Sequence, residues 1–139
     1  MNKEAKANRK VFVVLSRTQT KIWRDNFEPG SLPEHMAEEH VNGDYKRMLD
    51  KYFSGRKRSK LDPIFAERVA KELNGFERIF LAGGGKGKAS AVDNLASYLK
   101  LHHRQLAEHI HAIEDVDASN MSDGELLAVA RKMVEKDLL

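Results

Sequence analysis

The sequence predicts an α/β domain, a mixed five-stranded sheet with flanking helices in the order βββαβαβα. Three observations carry that expectation. Two short apolar runs, Val11-Phe12-Val13-Val14-Leu15 and Ile79-Phe80-Leu81-Ala82, have the density of apolar side chains that central strands need. The second run breaks into the loop Gly83-Gly84-Gly85-Lys86-Gly87-Lys88 and then into an amphipathic helical pattern, a strand-turn-helix step. Near the C-terminus, Ser122-Asp123-Gly124-Glu125 has the form of a capping box that opens a closing helix.

Taken in chain order, Lys10 to Ser16 is the first strand, Arg17-Thr18-Gln19 a turn, and Thr20 to Arg24 its alternating hairpin partner. Pro29-Gly30-Ser31 marks a loop, and Leu32 to His40 reads as a third strand in which helix formers compete. Val41 to Lys60 is a long, polar, basic loop with a helical turn around Tyr45 to Tyr52. Asp62-Pro63 supplies an N-cap and a first-turn proline, and Ile64, Phe65, Val69 and Leu73 keep helical spacing until Asn74-Gly75 ends the helix. Phe76 to Leu81 is the next strand, and Val92, Leu95, Ala96 and Leu99 form the apolar face of the helix after the glycine loop. After a junction from His102 to Glu108, Ile110 to Ile113 is the fifth strand. The last helix points Leu126, Leu127, Ala130, Met133 and Val134 inward. Strands alternating with helices imply parallel pairing, with the glycine loop at the carboxyl end of its strand, where open α/β sheets place ligands.

The 139 residues fit a single domain, residues 1–139, with 32% charged and 41% hydrophobic side chains. No apolar run approaches the roughly 20 residues needed to span a bilayer. No signal-peptide pattern opens the chain, so a cytoplasmic protein with no membrane partner is expected. The absence of cysteine excludes disulfides, thiolate chemistry and cysteine zinc sites. A net charge of +3 and a pI near 9.1 give a mild bias toward anionic partners. The bias is concentrated in Ser54-Gly55-Arg56-Lys57-Arg58-Ser59-Lys60, which carries four cations and no anion. Such a run is either a solvated loop or a phosphate-binding one.

The glycine loop has the same two readings. Backbone N–H groups at a strand-to-helix turn, flanked by Lys86 and Lys88, suit an anion, while the same glycines also serve a sharp structural turn with Ser90 and Asp93 capping the helix. Neither nucleotide motif fits. GxxxxGK[ST] fails at Ala82 and Ala89, and GxGxxG fails at Lys88, so no nucleotide cofactor is expected. No serine lies in a nucleophile elbow. Of the six histidines, His109 and His111 alternate along a strand and His102-His103 are adjacent, but no third and fourth donor can be assigned. Surface or structural roles are therefore favoured over a metal site.

On the opening hairpin, the long loop before Asp62-Pro63, the turn Ile79-Phe80-Leu81-Ala82-Gly83-Gly84-Gly85 and the stretch Glu114-Asp115-Val116-Asp117 to Glu125, the chain resembles the middle domain of class-one peptide release factors and Pelota proteins. It is more similar still to their small bacterial relatives, sometimes labelled translational machinery proteins. The resemblance implies a ribonuclease-H-like fold and a partner in the ribosome, rRNA or tRNA. Release factors of this family carry Gly-Gly-Gln in the long loop, for peptidyl-tRNA hydrolysis. This chain has no such tripeptide, and Gly55 to Lys60 stands in its place, which implies binding without that chemistry. A two-metal nuclease, which the fold also invites, is disfavoured because Val11 to Leu15 holds no carboxylate and the nearest acids are Asp25 and Glu28. The expected RNA contacts are Arg56, Lys57, Arg58 and Lys60, with Gly83, Gly84, Gly85, Lys86, Gly87 and Lys88 as a second phosphate site. The alternatives are a small phosphorylated ligand at residues 83–90, or a protein-interaction or homodimerising module that uses Trp23, Phe27 and the hairpin edge.

Overall fold

The computed structural model describes residues 9–15, 20–35, 63–84 and 91–138. Their elements are β1 (Lys10–Leu15), β2 (Thr20–Arg24), β3 (Glu34–His35), α1 (Pro63–Leu73), β4 (Arg78–Gly83), α2 (Ala91–His102), α3 (Arg104–Ala107), β5 (Ile110–Asp115) and α4 (Asp123–Leu138). The five strands form one sheet in the order β3-β2-β1-β4-β5. The pairs β1–β2 and β2–β3 are antiparallel, whereas β1–β4 and β4–β5 are parallel. The mixed five-stranded sheet with flanking helices is thus the expected one.

Helices cover both faces. Val11, Val13 and Leu15 of β1 and Ile79 and Leu81 of β4 pack with Phe65, Val69 and Leu73 of α1 and Val92, Leu95 and Leu99 of α2. On the other face, Phe12, Val14, Phe80 and Ala82 pack with Leu126, Leu127, Ala130 and Met133 of α4. That two-sided burial is why β1 and β4 are written as unbroken apolar runs. Two parallel crossovers in the same direction across the sheet, β3 to β4 through α1 and β4 to β5 through α2, place both helices on one face when they are right-handed.

The predicted strand Phe76 to Leu81 is displaced by two residues. Phe76 is buried against the α1–α2 face, but its N–H bonds the Leu73 carbonyl (3.3 Å) in the turn that ends α1. Pairing begins only at Arg78 and runs on through Ala82 and Gly83, opposite Val14 and Leu15. Gly75, at φ +96°, makes the turn. The junction after α2 contains the short helix α3, which the sequence did not announce because it has no buried residue and no side-chain cap. Of the described residues of the third strand, Glu34 and His35 pair with β2, at Ile22 and Lys21, and Leu32 and Pro33 do not. Residues 36–40, the 41–60 loop with its helical turn, and the Arg17-Thr18-Gln19 turn lie outside the described residues.

The capping box is formed as read. Ser122 Oγ accepts from the Glu125 N–H (3.1 Å), and Glu125 Oε1 accepts from the Ser122 N–H (2.8 Å). Ser122→Ala is expected to lower stability by about 1 kcal/mol, measured as a lower urea midpoint with unchanged slope.

Trp23 and Phe27 are not surface residues. They are 1% and 4% exposed, with Trp23 5.7 Å from the Phe12 ring, Phe27 5.8 Å from it, and Phe27 edge-on to Phe80 at 6.4 Å. The indole N–H donates to the Ser31 carbonyl (3.1 Å). The interaction module as sketched on these two side chains is therefore corrected: their area is spent in the core, where large aromatic rings contribute most.

Candidate functional site

The carboxyl ends of the three parallel strands come together at one point, where Leu15 pairs with Gly83 and Gly83 with Asp115. Gly83 (φ +144°) and Gly84 (φ +151°) both adopt backbone conformations that L side chains rarely reach. A Cβ on Gly83 would overlap the Leu15 carbonyl oxygen, and a Cβ on Gly84 would overlap the Asp115 carboxylate. The Val116 N–H closes the corner on the Gly83 carbonyl (3.1 Å). Both glycines thus have a packing reason to be glycine, and the exposed Asp115 sets a negative charge at the root of the loop.

Of the residues expected to hold phosphate, the structure brings together Gly83 and Gly84. Gly85, Lys86, Gly87 and Lys88, as well as Arg56, Lys57, Arg58 and Lys60, lie outside the described residues. The frame around the glycine loop is the predicted one, β4 before it and α2 after it, with Asp93 in the first turn of α2.

The histidines disperse to separate partners. His109 precedes β5 and lies 3.5 Å from Glu77. His111 sits in a register shift, since Ile79 pairs with Ile110 but Phe80 with Ala112. As the extra residue of that bulge it is turned toward α4, where its Nδ1 is 2.8 Å from Asp137. His102 stacks on Tyr98 at 4.4 Å, and His103 meets Glu67 at 2.9 Å. Among the described residues, no group of three or more His, Asp or Glu side chains is arranged to hold a metal ion. Asp25, one of the two acids nearest the hairpin, is committed to Arg9 (3.1 Å) and to the Lys10 N–H (3.2 Å).

Asp137 joins α4 to the edge of the sheet. It accepts from His111 and from the Arg78 guanidinium (2.9 Å), which also lies over the Phe80 ring. The His111 hydrogen bond, with the Arg78 bond and the charges of both partners behind it, holds the Asp137 carboxyl below its ordinary value of 3.8. A depressed carboxylate pKa adds stability above that ordinary value and loses it as pH falls through the folded-state value. Asp137→Asn is therefore expected to be less stable than the native chain at neutral pH, with the gap narrowing below about pH 4. Urea midpoints of both proteins across that range check the sign.

The opposite, amino edge of β4 and β5 carries a cleft of about 1040 Å³ between the second half of α1 and α3. Glu67 on its wall accepts from the Tyr98 hydroxyl (2.6 Å) and binds His103. The Tyr98 bond first, and then His103, keep the Glu67 carboxyl below the usual range, and the same bond raises the Tyr98 phenol. Sequence reading missed this cleft. Glu67, Arg68 and Lys71 show in the sequence only as the polar side of a helix, and what they face comes from residues some 30 positions later.

No protein family profile matches the chain, and no curated protein matches it in sequence. Among solved structures it is similar to Pelota from Archaeoglobus fulgidus, whose crystal structure was reported as revealing inter-domain structural plasticity. The TM-score is 0.54 at 14% sequence identity, over 97% of this chain and 36% of that one. The chain thus spans little more than a third of the Pelota chain it matches, and at this identity the likeness is one of fold. The mixed five-stranded α/β sheet with its flanking helices is a Pelota-domain-like fold.

Proposed function

We propose that this is a translation-associated protein that binds the ribosome, through rRNA or tRNA, without hydrolysing peptidyl-tRNA. The observation that supports this best is the Pelota-like fold over 97% of the chain. In this reading Arg56, Lys57, Arg58 and Lys60 stand in the stretch where the resemblance implies that release factors carry Gly-Gly-Gln. Four cations within residues 56–60 gain binding free energy by releasing counterions from RNA phosphates. They offer no glutamine amide to orient a water at an ester. Lys86 and Lys88, with the amides of Gly83, Gly84, Gly85 and Gly87, are the second phosphate contact in this reading, and the protein acts in the cytoplasm with no cofactor. No helix among the described residues is long and apolar enough to cross a membrane.

The test is sedimentation of the tagged protein through a ribosome gradient at low and high salt, beside a variant with Arg56, Lys57 and Arg58 changed to Glu. Comigration that is lost at high salt and lost in the variant supports the reading. No comigration at any salt overturns it, and brings forward the small phosphorylated ligand at residues 83–90 or a protein partner.

A further inference from the structure

The described residues include six arginines, and four of them are partnered: Arg9 with Asp25, Arg24 with Glu34 and Glu72, Arg78 with Asp137, and Arg131 with the Phe27 carbonyl. Arg68 and Arg104 have no hydrogen-bond or ion-pair partner among the described residues, and both line the cleft at the amino edge of β4 and β5. Lys71, one turn beyond Arg68 on α1, lines it too and is likewise unpaired.

We propose that this cleft binds a phosphate-bearing ligand through Arg68, Lys71 and Arg104. Neither carboxylate on its wall pairs with these cations: Glu67 accepts from Tyr98 and meets His103 at 2.9 Å, and Glu77 lies 3.5 Å from His109. Among the described residues the three cations are thus without an ion-pair partner, and they outnumber the two carboxylates of the cleft. Arg68 is also half-buried, so part of its side chain packs in the cleft wall, and a bound anion would give its guanidinium the partner it lacks among the described residues. Two guanidinium forks and an ammonium lining one cleft suit the oxygens of a phosphate, which arginine grips bidentately. Phe76 and Leu106 line the same cleft. They give it an apolar surface, and a volume of about 1040 Å³ admits more than a bare ion. A free nucleotide and a short stretch of RNA backbone share this chemistry. The site lies at the sheet edge opposite Gly83 and Gly84, and its existence does not rest on the ribosome reading.

The experiment is an NMR titration of the ¹⁵N-labelled full chain, first with inorganic pyrophosphate and separately with an oligouridylate of about ten nucleotides. Shifts are expected to concentrate at residues 67–77 and 103–109. Removing two charge-assisted hydrogen-bond donors, in the Arg68→Gln/Arg104→Gln double variant, is expected to weaken binding by about tenfold or more. The variant's dispersed spectrum checks that it folds. Lys132→Ala/Lys136→Ala, which removes two cations of α4 outside the cleft, is expected to leave these shifts unchanged, which separates the cleft from a general effect of positive charge. Oligouridylate acting on the same amides at lower concentration than pyrophosphate identifies an RNA backbone, and pyrophosphate alone identifies a free phosphorylated molecule; both support the site. No shifts at about 10 mM pyrophosphate or with the oligonucleotide, shifts spread over the whole surface, or shifts that survive in the arginine variant overturn it.

Discussion

Trp23→Ala is expected to destabilise the fold by about 3–5 kcal/mol. The indole is 1% exposed and sits on β2 beside Phe12, so its removal leaves a cavity between the sheet and the segment from Phe27 to Ser31. The Ser31 carbonyl also loses the N–H that it accepts, which adds an unsatisfied group to the lost apolar contact. Trp23→Phe separates the two terms. It keeps most of the apolar volume and gives up the hydrogen bond, so a loss of about 1–2 kcal/mol is expected. Urea unfolding monitored by circular dichroism measures both variants. A cost below 1 kcal/mol for the alanine variant, accompanied by a change in oligomeric state, would restore the reading of Trp23 as an interaction residue.

That pair of readings shows where the sequence is informative and where it is not. Apolar density alone places β1 and β4, because both faces of each are buried and every position reports on the core. It cannot say whether a tryptophan in a short alternating strand faces a helix or a partner. That depended on α4 closing the second face, more than 100 residues later in the case of Arg131 and the Phe27 carbonyl. Local signals with a chemical mechanism transferred well. The capping box reads directly as two hydrogen bonds, and Asn74-Gly75 as the end of a helix at a positive φ. Features that need long-range geometry were silent. The bulge at His111 leaves no mark in a run of alternating residues, and its consequence, the Arg78–Asp137–His111 cluster, joins positions 59 and 26 residues apart. The cleft is silent for the same reason. Its cations are unremarkable on a helical wheel, and they become a site only when α3 is folded against α1 with the neighbouring carboxylates already engaged.

The glycines at the end of β4 allow a sharper separation of packing from ligand chemistry. Gly83→Ala is expected to cost about 3–5 kcal/mol, because two effects add: a φ of +144° that alanine rarely adopts, and a Cβ forced into the Leu15 carbonyl. The obstacle is backbone in the central strand, held on both sides by β2 and β4, so it cannot yield without breaking ladder bonds. Gly84→Ala overlaps the Asp115 carboxylate, the end of an exposed side chain, and meets the Val116 carbonyl oxygen at ordinary contact distance (3.4 Å), and Gly75→Ala meets nothing within 4 Å. Gly75→Ala should cost about 1–2 kcal/mol, the conformational term alone, and Gly84→Ala slightly more, about 1–3 kcal/mol, because the Asp115 carboxylate must also be displaced. A double-mutant cycle extends the argument: with Asp115→Ala in place, Gly84→Ala should cost less than in the native chain, whereas the cost of Gly83→Ala should be unaffected. Equal costs at positions 75, 83 and 84 would show that crowding at the strand ends is immaterial. The ordering Gly83 above Gly84 would mean that this part of the loop is written for the sheet, so that loss of binding in a Gly83 variant reports on folding. The lysines at 86 and 88 are then the positions at which anion binding by the loop is properly probed.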